Sequence, residues 1–202
     1  MKLNNKRTIL VGLAFLSICA FWQMYDSIVP LILTKTFHMN ETFSGAIMAA
    51  DNILALFLLP FFGSVSDKSH TKIGKRMPFI LFGTGCAIIL MNILPLLDNS
   101  YAAQPSGFKT ASFVIVLGLL LVAMGTYRSP AVALMPDVTP KPLRSRANAI
   151  INLMGAVGGI LYLGVAAVLY PNSKTAGVEH VNYQTLFIVV SAIMFIAVAV
   201  LF

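Results

Sequence analysis

Six long apolar runs constrain this chain more than any other feature. Each has 18 to 25 residues, and about 17–25 apolar residues are enough to cross a bilayer as a helix. The runs are continuously apolar, whereas a membrane β-barrel would alternate polar and apolar residues. The sequence therefore predicts an all-α, polytopic membrane protein. Its six transmembrane spans are Ile9–Leu33, Ser44–Phe62, Met77–Leu97, Ala111–Met135, Ala147–Tyr170 and Thr185–Phe202.

Composition excludes the other broad classes. Hydrophobic types make up 58% of the 202 residues and charged types 10%, too few charges for the surface of a soluble domain of this size or for a disordered chain. The formal charge is +7, but the apolar runs separate the basic residues, so no nucleic-acid partner is expected. A membrane enzyme is an alternative, but it would need a nucleophile with a base, or metal ligands, within the spans. The three histidines lie in loops, so we expect no enzyme, no metal site and no cofactor.

Basic residues predict the orientation of the spans. Ten lie in the N-terminal tail and in the loops after the second and fourth spans, whereas the other three loops hold one each. Because Lys and Arg collect on the cytoplasmic side, both termini are expected to be cytoplasmic. A cleaved signal peptide at the first span is an alternative, but the sequence after this run lacks a small-residue cleavage site. The ten are Lys2, Lys6, Arg7, Lys68, Lys72, Lys75, Arg76, Lys141, Arg144 and Arg146.

The last span ends on four apolar residues, with no polar flank after it. We therefore expect residues 1–202 to form a single six-helix bundle that is the N-terminal half of something larger, with the second bundle absent.

Three ionisable residues fall within the spans, namely Asp26, Asp51 and Arg128. Each costs about 2.5–3.5 kcal/mol at mid-bilayer, so each requires a partner or a wet cavity. At about 1.5 Å per residue, both acids lie in the outer half of the membrane at similar depth. Two carboxylates that close favour a shared proton, which predicts a proton-coupling pair. A structural salt bridge and hydrated surface acids remain alternatives.

The short stretches around two of these charges are alike. Tyr25-Asp26-Ser27 in the first span matches Tyr127-Arg128-Ser129 in the fourth. Because the two helices run in opposite directions, the match predicts an inverted three-helix repeat. Chance similarity is the alternative.

Polar and aromatic side chains near these charges are candidates for binding a solute. A guanidinium suits a carboxylate or vicinal sugar hydroxyls, and aromatic rings stack on the apolar face of a sugar. Two asparagines of the fifth span share a helical face with Gly155 and Gly159. The alternatives are an interfacial aromatic anchor and close helix packing at the glycines. The candidates are Arg128, Trp22, Gln23, Tyr25, Asn148 and Asn152.

The loop after the second span carries the pattern Gly-x-x-x-Asp-Lys, then Gly-Lys-Arg after an insertion of four residues. This motif resembles that of the major facilitator superfamily. The longer loop and the stretches 127–137 and 144–148 are similar to the glycoside–pentoside–hexuronide and sucrose/proton symporter branches. The resemblance implies half of a twelve-helix fold, with a cytoplasmic gate motif made of Gly63, Asp67, Lys68, Gly74, Lys75 and Arg76.

The same resemblance implies symport of a sugar or glycoside with protons across a bacterial inner membrane. Ala55 stands one turn after Asp51, where melibiose-type relatives have a second acid, which favours protons over sodium. The implied partners are the sugar, protons, membrane lipid, and either the missing C-terminal half or a second copy in a parallel homodimer. A truncated or non-transporting membrane subunit is the alternative.

Overall fold

Helices account for the architecture of this chain in the computed structural model, which describes residues 4–175 and 177–202. Six helices are long and apolar enough to cross a membrane, and those two ranges contain no strand, so the predicted fold class is confirmed. Lys2 and the side chain of Lys174, used above for the orientation, lie outside the described parts. The long helices are α1 Asn5–Leu31, α2 Glu41–Lys68, α3 Met77–Ala103, α4 Gly107–Val138, α5 Arg144–Leu169 and α7 Gln184–Leu201. The short elements are a π-helical turn Ile32–Thr36, a 3-10 turn Lys141–Leu143 and α6 Asn172–Thr175.

The helices extend past the apolar runs because polar residues cap them. The Asn4 side chain accepts a hydrogen bond from the Arg7 backbone N–H at 3.2 Å, and Asn40 does the same for Thr42 at 3.0 Å. Such caps satisfy backbone donors that a helix leaves free in its first turn. Hydropathy marks the part of a helix that lies in hydrocarbon, and the caps mark where the helix begins.

Helix packing follows a paired pattern. The most extensive pairs are α1 with α5 and α3 with α4, followed by α1 with α7 and α2 with α4. The last three long helices can stand for the first three in order, α4 for α1, α5 for α2 and α7 for α3. This exchange turns the α1–α5 pair into the α4–α2 pair, and the α3–α4 pair into the α7–α1 pair. This is the pairing that two inverted three-helix repeats would produce.

The α1–α5 pair is in backbone contact at a glycine. A Cβ built on Gly158 would lie 2.0 Å from the Leu16 carbonyl oxygen, and one on Gly155 would lie 2.9 Å from Cys19 Sγ. Close packing of α5 through small residues is therefore observed. Its closest point is Gly158, whereas a Cβ on Gly159 would have ordinary room, 3.8 Å from Gln23 Oε1.

Hydrogen bonds fix α1 against α4. The buried Tyr127 hydroxyl lies 2.6 Å from Ser17 Oγ and 3.0 Å from the Ala14 carbonyl oxygen. Because Tyr127 points into the bundle, the next residue, Arg128, points to the side of the bundle where α2 packs.

The long helices differ in how much of their surface is covered. Buried residues occur along the length of α1, whereas the buried residues described on α2 are only Ser44 and Ser66. The less buried positions of α1 recur at helical spacing and form what we call the open stripe. It consists of Phe15, Cys19, Trp22, Gln23, Asp26 and Pro30.

Candidate functional site

Three of the predicted site residues line one narrow crevice between α1, α2 and α4. They are Trp22 from the open stripe, Asp51 from α2 and Arg128 from α4. The remaining wall is apolar and so raises the electrostatic strength of the polar groups it surrounds. It is made by Leu54, Ala55, Leu58, Leu59, Leu121 and Gly125.

Arg128 rests on an aromatic ring. Its guanidinium carbon lies 5.4 Å from the centroid of the Trp22 ring, a cation–π distance. Within the described ranges, no salt bridge or hydrogen bond engages this guanidinium. The residue count along α4 places the Arg128 backbone toward one end of the bundle, but its long side chain reaches the level of Trp22 and Asp51. Its N–H donors are therefore not used by the described residues, and the crevice, at about 10 Å³, has room for about one water in this structure.

Aromatic neighbours hold Trp22 in place. The rings of Phe21 and Tyr25 meet it edge-on, with centroids 5.4 Å and 5.3 Å away. Tyr25 is fully buried, so a solute cannot reach it in this structure. The Tyr25 hydroxyl and the Trp22 indole nitrogen are both buried without a partner among the described residues. Unpartnered buried donors are rare, and these two belong to neighbouring rings whose centroids lie 5.3 Å apart.

The two predicted coupling acids stand on neighbouring helices. Asp51 is half-buried, and its Oδ1 accepts a hydrogen bond of 2.8 Å from the Asn52 side chain. Asp26 is exposed on the open stripe, one turn after Trp22. Asp51 lines the crevice, whereas Asp26 is not among the residues that line it. Their assignment to proton coupling stays a prediction.

Gln23 faces a second opening. It lines a groove of about 300 Å³ between α1 and α5, together with Cys19, Gly155 and Gly159. The open stripe thus lies between the crevice, which Trp22 lines, and this groove, which Gln23 lines. In the described parts of α5, Asn148 and Asn152 are exposed and line neither opening.

At one end of the bundle, Arg76 joins α2 to α4. Its side chain is only 7% exposed. Nε donates to Asp137 Oδ2 at 3.0 Å, and Nη2 donates to Asp67 Oδ1 at 2.5 Å. Nη1 donates to Ser66 Oγ at 2.6 Å. Such charge-assisted bonds are stronger than neutral ones, so a buried cation joins the ends of α2 and α4.

Lys75 completes a group that we call the Arg76 cluster, consisting of Asp67, Lys75, Arg76 and Asp137. Lys75 Nζ lies 3.3 Å from Asp137 Oδ2 and 3.7 Å from Asp67 Oδ1, so two acids balance two bases. Lys68, predicted in the same motif, ends α2 in an exposed position, and no ion pair of the described residues includes it. The motif did not reveal Asp137, which lies in α4. The signal for it in the sequence was an acid at the end of a span that faces a basic loop.

Two glycines of the motif occupy positions that favour glycine. A Cβ on Gly63 would lie 3.1 Å from Ser129 Oγ, whose hydroxyl donates to the Leu59 carbonyl at 2.6 Å. Gly74 has φ +96° in the turn before α3, a conformation that other residues rarely adopt. These positions allow α2 to approach α4 and the chain to turn back toward α3.

A family profile described as Major Facilitator Superfamily matches residues 11–202. The chain belongs to the Major Facilitator Superfamily. The resemblance inferred from the loop motif is thus confirmed, and membership together with six apolar helices makes the chain an integral membrane protein.

Curated facilitator relatives are longer than this chain. "Sucrose transport protein SUC3" of Arabidopsis thaliana is 34% identical over 158 residues, which is 72% of this chain and 26% of that protein. "Sucrose transport protein SUT3" of Oryza sativa subsp. indica is 34% identical over 69% of this chain and 30% of its own length. "Alpha-ketoglutarate permease" of Escherichia coli (strain K12) is 27% identical over 87% of this chain and 38% of its own length. The chain thus spans well under half of these relatives, and no solved structure matches it.

Proposed function

We propose that residues 1–202 act as the N-terminal half of a twelve-helix facilitator that carries a sugar or glycoside across a bacterial inner membrane together with protons. The observation that carries this proposal is the shared crevice of Trp22, Asp51 and Arg128. A ring, a carboxylate and a planar cation meet there inside an apolar wall. Relatives named as sucrose transport proteins support the choice of substrate class.

Solute recognition is assigned to Trp22, Arg128 and Gln23. The indole offers a flat face to the apolar side of a sugar ring, and the guanidinium offers a rigid fork of donors to adjacent hydroxyls. Gln23 follows Trp22 directly and adds an amide from the next opening. Tyr25 keeps the indole in place and orients it.

Proton coupling is assigned to Asp51 together with Asp26. An apolar wall and a like charge both favour a bound proton on a carboxylate. Ala55 lines the same crevice and has no side-chain oxygen to offer a sodium ion, which favours the proton as the coupling cation. When Asp51 loses its proton, its negative charge lies in the same crevice as the Arg128 guanidinium. Protonation of Asp51 therefore changes the electrostatic field at the proposed solute site.

The Arg76 cluster is assigned to the cytoplasmic gate, and this end of the bundle, with both termini, faces the cytoplasm. While Arg76 holds Asp67 and Asp137, the ends of α2 and α4 stay together. Opening toward the cytoplasm requires these bonds to separate.

A second six-helix bundle is the expected partner, and it would cover the open stripe. The exposed large side chains of α2 would then contact lipid or that bundle. A parallel homodimer is the alternative partner, and a non-transporting subunit is the alternative role. The largest exposed side chains of α2 are Phe43, Ile53, Leu56, Phe57 and Phe61.

Replacing Asp51 with Asn in the complete transporter tests the proposal. The amide keeps the size but cannot carry a proton, so pH-driven accumulation of sugar in liposomes should fall to the equilibrium level, while sugar exchange continues. Asn52→Ala is the matched control, since it removes the hydrogen bond to Asp51 and keeps the carboxylate. Full accumulation by Asp51→Asn would contradict the coupling role.

A carboxylate solute is the second candidate. It is favoured by a guanidinium that no carboxylate engages among the described residues, and by the relative named alpha-ketoglutarate permease. Competition of unlabelled sugars and dicarboxylates against labelled sugar uptake decides between the two. Competition by dicarboxylates alone would replace the sugar assignment.

A further inference from the structure

A buried acid lies at the end of the bundle opposite the Arg76 cluster. Asp98, near the end of α3, is 0% exposed. Neither of its carboxylate oxygens has a hydrogen-bond partner of good geometry among the described residues. Its one ion-pair partner among the described residues is His180, which is charged only when protonated and whose Nε2 lies 3.9 Å from Asp98 Oδ2. A buried carboxylate without donors is costly unless a positive charge or a proton compensates it.

His180 connects three segments of the chain. Its Nδ1 lies 3.2 Å from Thr36 Oγ1 in the π-helical turn, and its Nε2 lies 2.8 Å from Asn99 Oδ1 on α3. The Thr36 hydroxyl is also near the Asp98 carboxylate. His180 itself lies in the loop 177–183 before α7. We call these residues the His180 cluster: Thr36, Asp98, Asn99 and His180.

The hydrogen bonds of this cluster show how adding one proton to His180 or Asp98 changes its charge balance. With a neutral imidazole, Nε2–H donates to Asn99 and Nδ1 accepts from Thr36. That arrangement satisfies the ring but leaves Asp98 uncompensated if it is ionised. One added proton, on either the imidazole or the carboxyl, removes the uncompensated buried charge. The cluster is therefore stable with one proton and strained with none.

Other titratable groups nearby do not replace His180. Burial and the negative charge of Asp98 raise the pKa of Tyr183, which stays neutral below alkaline pH. The Lys109 ammonium from α4 donates to the Ser100 and Gln104 carbonyls. The remaining neighbours among the described residues are tyrosines or exposed charges. They are Lys35 in the π-helical turn, His38 shortly after it, Glu179 in the 177–183 loop, Tyr101 on α3 and Tyr170 directly after α5.

We propose that His180 and Asp98 form a proton-holding clasp that docks the loop 177–183 on α3 and on the π-helical turn. When the clasp loses its proton, the buried carboxylate draws in water and the loop separates. A cavity of about 690 Å³ already adjoins the cluster, lined in part by Thr36, Tyr101 and His180. This site is separate from Asp51 and does not depend on transport of any solute.

Distance measurement between two spin labels tests the clasp. Cys19 and Cys86 are first replaced with alanine in the full protein in detergent, and labels are placed at Ala103→Cys and Glu179→Cys, both exposed. From about pH 5 to about pH 8, the range in which histidine loses its charge, the single short distance should give way to a longer, broader population. An unchanged distance distribution over this range would overturn the proposal.

Three variants assign the effect to the cluster. Asp98→Asn removes the charge that needs compensation, so the short distance should persist at every pH. His180→Gln keeps neutral hydrogen-bonding atoms but cannot hold a positive charge, so the longer population should appear at lower pH. His38→Asn removes the other histidine of the cavity at a residue with φ 51°, which Asn tolerates, and should leave the response unchanged. A pH response that survives in Asp98→Asn, or disappears in His38→Asn, would refute the clasp.

Discussion

Trp22 shows how one side chain on α1 gains a defined orientation. Phe21 and Tyr25 fix its edges, and Arg128 covers one face from α4. The guanidinium would otherwise be an unpaired charge in an apolar wall. A stacked cation–π contact keeps it at the level of Asp51 while leaving its N–H donors accessible.

Two buried tyrosines should respond differently to loss of the hydroxyl. Tyr127→Phe removes the bonds to Ser17 and Ala14 and should lower the free energy of unfolding by about 1 kcal/mol. Tyr25→Phe removes a hydroxyl with no partner among the described residues, so stability should stay equal or rise. Thermal unfolding followed by fluorescence in detergent checks both variants.

The two substitutions serve as controls for each other, since each deletes one buried oxygen. Equal destabilisation would mean that the Tyr25 hydroxyl has a partner in the folded protein. A stable Tyr25→Phe variant that loses solute affinity would mean that this hydroxyl is needed to orient the Trp22 ring.

Some site residues could be predicted from their residue type and position in the sequence alone, and others could not. Asp26, Asp51 and Arg128 were recognisable because a charge inside an apolar run is costly. Asp137 was not assigned a role because its partner Arg76 is 61 residues away, and pairing at that distance depends on how α4 packs. The full burial of Tyr25 likewise follows from its ring neighbours, which hydropathy does not encode.

Among the elements, the α1–α5 pair has the least room for change. Gly158→Ala would place a methyl group against the Leu16 carbonyl oxygen. Overpacking of this kind costs about 1–3 kcal/mol, so the variant should unfold at lower temperature in detergent. Gly164→Ala on the same helix has nothing within 4 Å of the new Cβ and should be neutral or stabilising. Equal stability of the two variants would contradict the backbone contact.

Helix identity and order could be predicted at the element scale, whereas their ends and partners could not. Each of the six apolar runs corresponds to a helix because crossing hydrocarbon requires internally satisfied backbone groups. The caps at Asn4 and Asn40 lie outside hydrocarbon, so hydropathy missed the first turns. The choice of Gly158 over Gly159 as the closest point depends on the rotation of α5 about its axis, which a small-residue pattern leaves open.

At the scale of the whole molecule, the sidedness is testable. Lys72 and Lys141 follow α2 and α4 at the end of the Arg76 cluster, whereas Lys109 begins α4 at the other end. Each is changed to Cys in a chain without Cys19 and Cys86. An impermeant thiol reagent on intact cells should label position 109 and spare positions 72 and 141, with labelling of all three after permeabilisation. The reverse pattern would invert the proposed orientation.

Residues 1–202 by themselves should not perform coupled transport. One bundle leaves the open stripe, with Asp26 on it, facing lipid or an unclosed groove at the insertion cost noted above. Purified chain in liposomes should therefore show no sugar uptake driven by a pH gradient. Uptake at the rate of a full transporter would instead identify a working parallel homodimer.

The contact of Gly158 with Leu16 also has a mechanical consequence. Two helices whose backbones touch cannot slide or rotate past each other without a steric clash, so α1 and α5 behave as one rigid body. If the protein opens alternately at its two ends, as the proposed transport requires, α1 and α5 must tilt together. In the proposed transport cycle, α2 is then the helix that moves, because it packs mainly on α4 and its end is joined to α4 by the Arg76 cluster.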